Sequence, residues 1–156
     1  MSHELVMLRG VEYCKKQIRR LQEKCLKFAL KSFSAEFAKE GTLGQVRTLA
    51  VMAIEREDWQ RYLALLKIAL GNMPAPYRAF LVAVYVKKIS KEALCEKFHV
   101  SLSMVYRKLS RARKCFREKL LELGCTETWF RETYGDNEWI SSLLERAKNG
   151  ARVEEC

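Results

Sequence analysis

The chain has 156 residues, with 29 lysines and arginines against 19 aspartates and glutamates, and 49% of its residues are hydrophobic. This length suits one domain with an accessory helical part, and the apolar content excludes disorder over the whole chain. Uncharged apolar runs all fall short of the ~18 residues that a membrane-spanning helix needs. The first ten residues lack the pattern of a secretory signal, so we expect a soluble, cytoplasmic protein.

Cysteine spacing gives no sign of a metal site. The six cysteines include no C-x-x-C pair, and neither histidine lies at the sequence distance of a familiar zinc motif. We therefore expect no metal and interpret the cysteines as reduced thiols that serve as small apolar residues. They are Cys14, Cys25, Cys95, Cys115, Cys125 and Cys156.

The chain begins with an apolar seam that predicts a long helix over residues 2–39, with an interruption near 32–34 left open. Its members recur at alternating spacings of four and three residues. They are Met7, Val11, Cys14, Ile18, Leu21, Cys25 and Phe28. Such a seam fits either a homodimer through helix 2–39 or a helix packed within its own chain. Its length, about three heptads, favours packing within the chain.

Two further helices are predicted before the first internal boundary. Gly41 and Gly44 break the first helix, and apolar residues then indicate helices over about 46–53 and 58–70. The run Gly71-Asn72-Met73-Pro74-Ala75-Pro76 holds both prolines of the chain and marks the boundary. Residues 1–73 are thus predicted to form an N-terminal helical region, a three-helix bundle in which we find no site.

Positive charge is concentrated in the middle of the chain. Residues 74–123 contain 12 of the 29 basic side chains and only four of the 19 acidic ones, whereas residues 124–156 carry a net negative charge. A basic cluster of this kind is typical of a surface that meets a polyphosphate, although a solvated helix surface gives the same composition.

The basic segment divides into three predicted helices. Pro76 suits the first turn of an apolar helix that includes Phe80 and Tyr85. Ser90 is placed to cap a short helix, 91–98, and Ser101 to cap a long one, 102–123. Between them, His99-Val100 makes a tight turn, so this arrangement predicts a helix-turn-helix.

The last of these helices has one apolar face and one basic face. At ~100° per residue, the apolar stripe comprises Leu102, Val105, Leu109, Ala112 and Phe116, and the opposite side comprises Ser103, Arg107, Ser110, Arg111 and Lys114. The first carboxylate of the helix is Glu118. A helix of this kind can enter the major groove of B-DNA and reach base edges with its N-terminal half.

Three runs in this segment carry a family resemblance. They are Met73-Pro74 with Tyr77-Arg78-Ala79-Phe80-Leu81; Ile89-Ser90-Lys91-Glu92-Ala93-Leu94-Cys95-Glu96-Lys97-Phe98-His99-Val100-Ser101; and Ser103-Met104-Val105-Tyr106-Arg107-Lys108-Leu109-Ser110-Arg111-Ala112-Arg113-Lys114. Over about residues 73–122 the chain resembles the fourth region of bacterial sigma factors. The resemblance implies binding to promoter DNA, contact with RNA polymerase, and a bacterial or phage protein that works at the nucleoid.

The chain also departs from the family pattern. His99 stands in place of the turn glycine, Met104 in place of a threonine and Tyr106 in place of a frequent lysine. Residues 1–73 do not match the sigma region that melts DNA and grips the polymerase. The expectation is therefore a sigma-like regulator with its own base preference rather than a complete sigma factor.

The two faces of helix 102–123 and the resemblance to sigma factors together give the predicted DNA-binding residues. Those expected to face DNA are Ser103, Arg107, Lys108 and Arg111, with Met104 and Tyr106 at flanking angles. Those expected to contact phosphates are Ser90, Lys91, Ser101 and Lys114. For each residue the alternative is an ordinary solvated side chain, or a helix cap for Ser90 and Ser101.

Residues 124–156 are predicted to form an acidic, aromatic C-terminal tail with helices over 126–134 and 137–148. We expect its aromatic residues to pack back on the rest of the chain rather than to present a partner surface. The whole chain is thus predicted to be all-α. It has no phosphate-binding loop, metal spacing or nucleophile motif, so we expect no enzyme and no cofactor. The alternative function is a helical adaptor that binds a protein or structured RNA through the same fold.

Overall fold

The computed structural model describes residues 3–31 and 41–154, and it confirms the all-α fold: these residues form helices and turns and contain no strand. None of the helices in these ranges is both long and apolar enough to cross a membrane. The helices are α1 (His3–Arg9), α2 (Val11–Lys31), α3 (Thr42–Gly71), α4 (Ala75–Leu81), followed by a π-helical turn (Val82–Val86), α5 (Lys91–Phe98), α6 (Leu102–Glu122), α7 (Glu127–Tyr134) and α8 (Glu138–Glu154).

The helices are grouped into two compact units. One consists of residues 12–63, and the other combines residues 1–11 with 64–156. These units do not coincide with the predicted regions 1–73, 74–123 and 124–156, because α1 and the end of α3 belong with the C-terminal helices. The division into three regions by function stays a prediction.

The prediction of one continuous helix over residues 2–39 was wrong in its first part. A turn at Gly10 separates α1 from α2, and the glycine explains the break because it is among the weakest helix formers. Residues 32–39 of the predicted helix lie outside the described residues. Conversely, the two helices predicted over 46–53 and 58–70 are one helix, α3. No glycine or proline interrupts residues 45–70, and Arg61 pairs with Glu57 and Asp58 on the same helix.

In the unit of residues 12–63, α2 packs on α3 through the apolar seam. Cys14 and Leu21 are buried, and the Cys14 thiol donates a hydrogen bond to the Trp59 carbonyl, with 3.1 Å between Sγ and O. The Tyr13 and Trp59 rings meet edge to face at 5.7 Å. Cys14 and Leu21 thus pack within the chain, as favoured from the sequence, and a homodimer through helix 2–39 stays a prediction.

The other unit is built around α6, which contacts α1, α4 and α5. Its buried side chains include Val105, Leu109, Ala112 and Phe116, which confirms four members of the predicted apolar stripe. The fifth, Leu102, is 42% exposed, so its placement was wrong. Leu102 is the first residue of the helix.

The C-terminal helices belong to this second unit and pack within it, as the sequence predicted. Thr126 caps α7 by accepting a hydrogen bond from the Trp129 N–H at 3.1 Å. Phe130 and Ile140 are buried, and α8 contacts α1. Buried His3 of α1 has Nε2 at 2.8 Å from the Cys125 carbonyl oxygen, just before α7. This contact joins the start of the chain to its C-terminal part.

The sequence did not predict the π-helical turn after α4. The Lys87 N–H donates to the Val82 carbonyl at 2.8 Å, five residues back. Three of the five residues in the turn are valines, whose branched side chains crowd an α-helix. Lys88 follows with a φ of 55°, a left-handed conformation that is uncommon outside glycine. Tyr85 of this turn is half-buried, and Lys88, two residues after the turn, is exposed.

Candidate nucleic-acid interface

The segment between α5 and α6 folds as its local sequence predicts. Ser90 Oγ accepts a hydrogen bond from the Ala93 N–H at 3.1 Å, and Ser101 Oγ accepts one from the Met104 N–H at 3.3 Å. Both predicted caps are thereby confirmed. His99 ends α5 in the left-handed conformation, with φ 53° and ψ 45°. Only residues 99–101 separate the two helices, so the start of α6 is fixed closely relative to α5.

The outward face of α6 is basic. Arg107 and Lys114 lie opposite the buried stripe, and both are exposed, as is Arg111 beside them. On α6 the structure describes an ion pair between Lys119 and Glu122 at 3.5 Å. Within the described part of the chain, Arg107, Arg111 and Lys114 have no such partner. Their charges are therefore available to an external anion.

The two remaining predicted lysines are held by aromatic rings. Lys91 Nζ lies 4.4 Å from the centroid of the Tyr106 ring, and Lys108 Nζ lies 5.3 Å from that of Phe80. Both lysines are half-buried. Cation–π contacts of this kind orient the lysine stem without neutralising the charge. Lys108 thus lies at the edge of the basic face rather than at its centre.

The first two turns of α6 carry the small and the apolar members of the predicted set. Ser103 is exposed, and its Oγ shares a hydrogen bond with Ser101 Oγ at 3.1 Å. Met104 is 43% exposed and Tyr106 is 50% exposed. Tyr106 therefore does not pack into the bundle, which the sequence had left open.

The predicted residues on α6 share one end of the helix. From Ser103 to Lys114 the helix rises by ~17 Å, at ~1.5 Å per residue. Ser90 and Lys91 join this set from the start of α5 through the Lys91–Tyr106 contact. A rise of this length matches about five base pairs of duplex DNA. The set is thus comparable in extent to a short segment of a major groove.

Sequence reasoning overlooked several further basic residues of the same unit. Arg117 is exposed one turn beyond the predicted set, and Arg113 is half-buried beside it. Their positions on α6 could have been found from the helical wheel. Arg9 of α1 could not, because only the tertiary fold brings it to Tyr85, with the Arg9 Cζ 5.8 Å from the ring centroid.

Two buried thiols have perturbed acidity. Burial raises the pKa of the Cys14 thiol to about 12 and also raises the pKa of the Cys125 thiol. The five cysteines within the described ranges are free thiols. Those ranges contain no cluster of three or more His, Cys, Asp or Glu side chains that could hold a metal ion.

No family model matches the sequence, and no curated protein or solved structure is significantly similar to the chain.

Proposed function

We propose that the chain is a sequence-specific, double-stranded DNA-binding transcriptional regulator of the sigma-like kind, which reads the major groove with α6. The observation that carries this proposal is the exposure of Arg107 and Arg111, with no ion-pair partner in the described part of the chain, on a face of α6 whose opposite side is buried. Guanidinium groups in this state can meet phosphates or guanine edges without first breaking an ion pair.

In this proposal the side chains divide the work by their chemistry. Arg107 and Arg111 supply the forked donors that pair with the O6 and N7 atoms of guanine. Lys91, Lys108 and Lys114 bind DNA phosphates through their positive charge. The hydroxyls of the helix caps Ser90 and Ser101 contact the sugar-phosphate backbone of the DNA. Met104 and Tyr106 offer apolar contact to a thymine methyl group or to sugar.

The resemblance to sigma factors supports a role at promoters. It adds the proposal that the protein contacts RNA polymerase and acts at the nucleoid, in the cytoplasm of a bacterium or a phage-infected bacterium. Met104 and Tyr106 differ from the family pattern on the DNA-facing turn, so the target sequence should differ from that of sigma factors. The polymerase contact is tested by titrating labelled protein with core polymerase in the absence of DNA. No change in anisotropy at micromolar polymerase would reject that contact alone.

The experiment that tests the DNA proposal is selection of bound fragments from a random duplex pool at near-physiological ionic strength. The selected duplex should bind at least ~10³-fold more tightly than random duplex. Bases protected by the protein should lie in one major groove over about five base pairs. A pool that stays random after repeated selection would contradict the proposal.

A second candidate function rests on the unit of residues 12–63. Large apolar side chains are exposed on α2 and on the first half of α3: Leu26, Leu30, Leu43, Val46, Leu49, Val51 and Ile54. An exposed apolar group of this size favours a protein contact, which suits an adaptor. Sedimentation of the full chain over a wide concentration range tests whether another copy is the partner, and a constant monomer mass would exclude it.

A further inference from the structure

A cavity of about 410 Å³ opens on the unit that contains α6. It is lined by Arg9 of α1, by Val84, Tyr85 and Lys88 around the π-helical turn, by Lys91 of α5, and by Trp139 and Leu143 of α8. The size falls in the range of small-molecule sites. Four separate parts of the chain converge on it, so its shape depends on the folded unit.

The lining combines three cations with aromatic and aliphatic walls. Arg9, Lys88 and Lys91 contribute positive charge, and the lining residues that the structure describes include no carboxylate. The Arg9 guanidinium lies over the Tyr85 ring at 5.8 Å from Cζ to the centroid. The Arg9 cation thus lies beside an aromatic wall, in a cavity where an anion would be screened less than in open water.

The backbone around the cavity has an unusual conformation. The π-helical turn directs Tyr85 into the lining, and Lys88 adopts a left-handed φ of 55°. Single π-turns occur frequently at functional sites. Lysine is rarely found in the left-handed region, where glycine or asparagine is the usual residue. The position therefore carries a charge where the backbone favours a small residue.

We propose that this cavity binds a small molecule in which a flat aromatic ring carries a phosphate group, the chemistry shared by aryl phosphates and nucleoside monophosphates. The three cations hold the phosphate, and Tyr85, Trp139 and Leu143 contact the ring. Duplex DNA is a poorer occupant, because its bases are stacked and paired and cannot reach the aromatic walls. Inorganic phosphate would leave the apolar half of the cavity unused.

The experiment titrates the full chain, without DNA, with 1-naphthyl phosphate and separately with adenosine 5′-monophosphate. Binding is followed by the indole N–H resonance of Trp139, assigned with a Trp139→Phe variant, and by calorimetry. At least one of the two probes should bind about tenfold more tightly than both 1-naphthol and inorganic phosphate. Tighter binding of 1-naphthyl phosphate would indicate a ligand whose ring is attached directly to the phosphate. Tighter binding of adenosine 5′-monophosphate would indicate a ligand whose ring is attached through a sugar.

Matched variants locate the site. Lys88→Asn removes a lining charge with a residue that tolerates the left-handed backbone, whereas Lys87→Asn removes an exposed charge that is not in the lining. Lys88→Asn should weaken the probe about tenfold, and Lys87→Asn by less than about twofold. Arg9→Gln should weaken it as Lys88→Asn does, which provides a second readout if one variant folds poorly. Equal effects of Lys87→Asn and Lys88→Asn, or no binding of either probe, would overturn the proposal.

Lys91 lines the cavity and also belongs to the proposed DNA interface, so it is not substituted in these experiments. Probe binding is measured without DNA, and DNA binding without the probe. A failure of the cavity proposal is therefore distinct from a failure of the DNA proposal.

Discussion

Two of the long helices, α6 and α3, use their apolar residues in opposite ways. Along α6 the large apolar residues between Val105 and Leu120 are buried apart from Tyr106, and the opposite face is basic. Along the first half of α3, Leu43, Val46 and Ile54 are more than half exposed. A helix that buries one face and charges the other is suited to an anionic partner. A helix with an exposed apolar surface is suited to another protein.

The largest effect in this comparison should come from the buried face of α6. Phe116→Ala removes a fully buried ring and should lower the free energy of unfolding by ~3–5 kcal/mol. The matched control is Leu121→Ala, on the same helix but 47% exposed, which should cost well under half as much. Urea denaturation measures both. Similar losses of unfolding free energy in the two variants would mean that α6 does not bury the face that contains Phe116.

The next largest effect should appear on the basic face. Arg107→Ala should weaken binding to the selected duplex by ~1–3 kcal/mol and relax preference for particular bases. Lys114→Ala should instead weaken selected and random duplexes alike and reduce the slope of binding against salt by about one. Both residues are exposed, so stability should change by no more than ~0.5 kcal/mol. Indistinguishable effects of the two variants on preference would favour the adaptor.

A smaller effect tests how α2 packs on α3. Burial raises the pKa of the Cys14 thiol in the folded chain from its ordinary value of 9.0 to about 12. As pH rises above 9.0, the unfolded state releases a proton that the folded state keeps, so folding loses up to ~1.4 kcal/mol per pH unit. The stability of the wild type relative to Cys14→Ala should therefore fall between pH 9 and pH 10. A difference that is constant with pH would mean that Cys14 is accessible to water.

The smallest effect is expected for the exposed face of α3. Val46→Gln and Ile54→Gln should change the free energy of unfolding by no more than ~0.5 kcal/mol, because both side chains are more than half exposed. Duplex affinity, measured by anisotropy, should change by less than about twofold. If either variant impaired DNA binding, the exposed apolar residues of α3 would also contribute to that binding, and the assignment of DNA binding to α6 and α5 alone would be wrong.

Local features of the DNA-facing segment were predictable because short-range interactions determine them. Ser90 and Ser101 cap helices through N–H groups three residues away, and the left-handed His99 follows from the tight turn between two helices. Burial of Val105 and Leu109 follows from the helical period alone. The sequence therefore predicted most of α5 and α6, including the exposure of Arg107.

Features that depend on distant parts of the chain were not predictable. Apolar periodicity passes through Gly10 unchanged, so the break between α1 and α2 could not be seen in the seam. The valines of 82–86 lower the propensity for an α-helix only slightly, so the π-helical turn is visible only in the fold. The cavity joins residues as far apart as Arg9 and Trp139, and Arg9 has no distinguishing sequence context.

The salt dependence of duplex binding tests the central claim most directly, because it counts the phosphate charges that the protein neutralises. With Lys91, Arg107, Lys108, Arg111 and Lys114 at the interface, the logarithm of the binding constant for the selected duplex should fall against the logarithm of salt with a slope of about −3 to −5. Arg107→Ala should retain most of that slope while losing base preference. A slope near zero, or no duplex binding at low salt, would contradict the claim that the exposed face of α6 binds DNA.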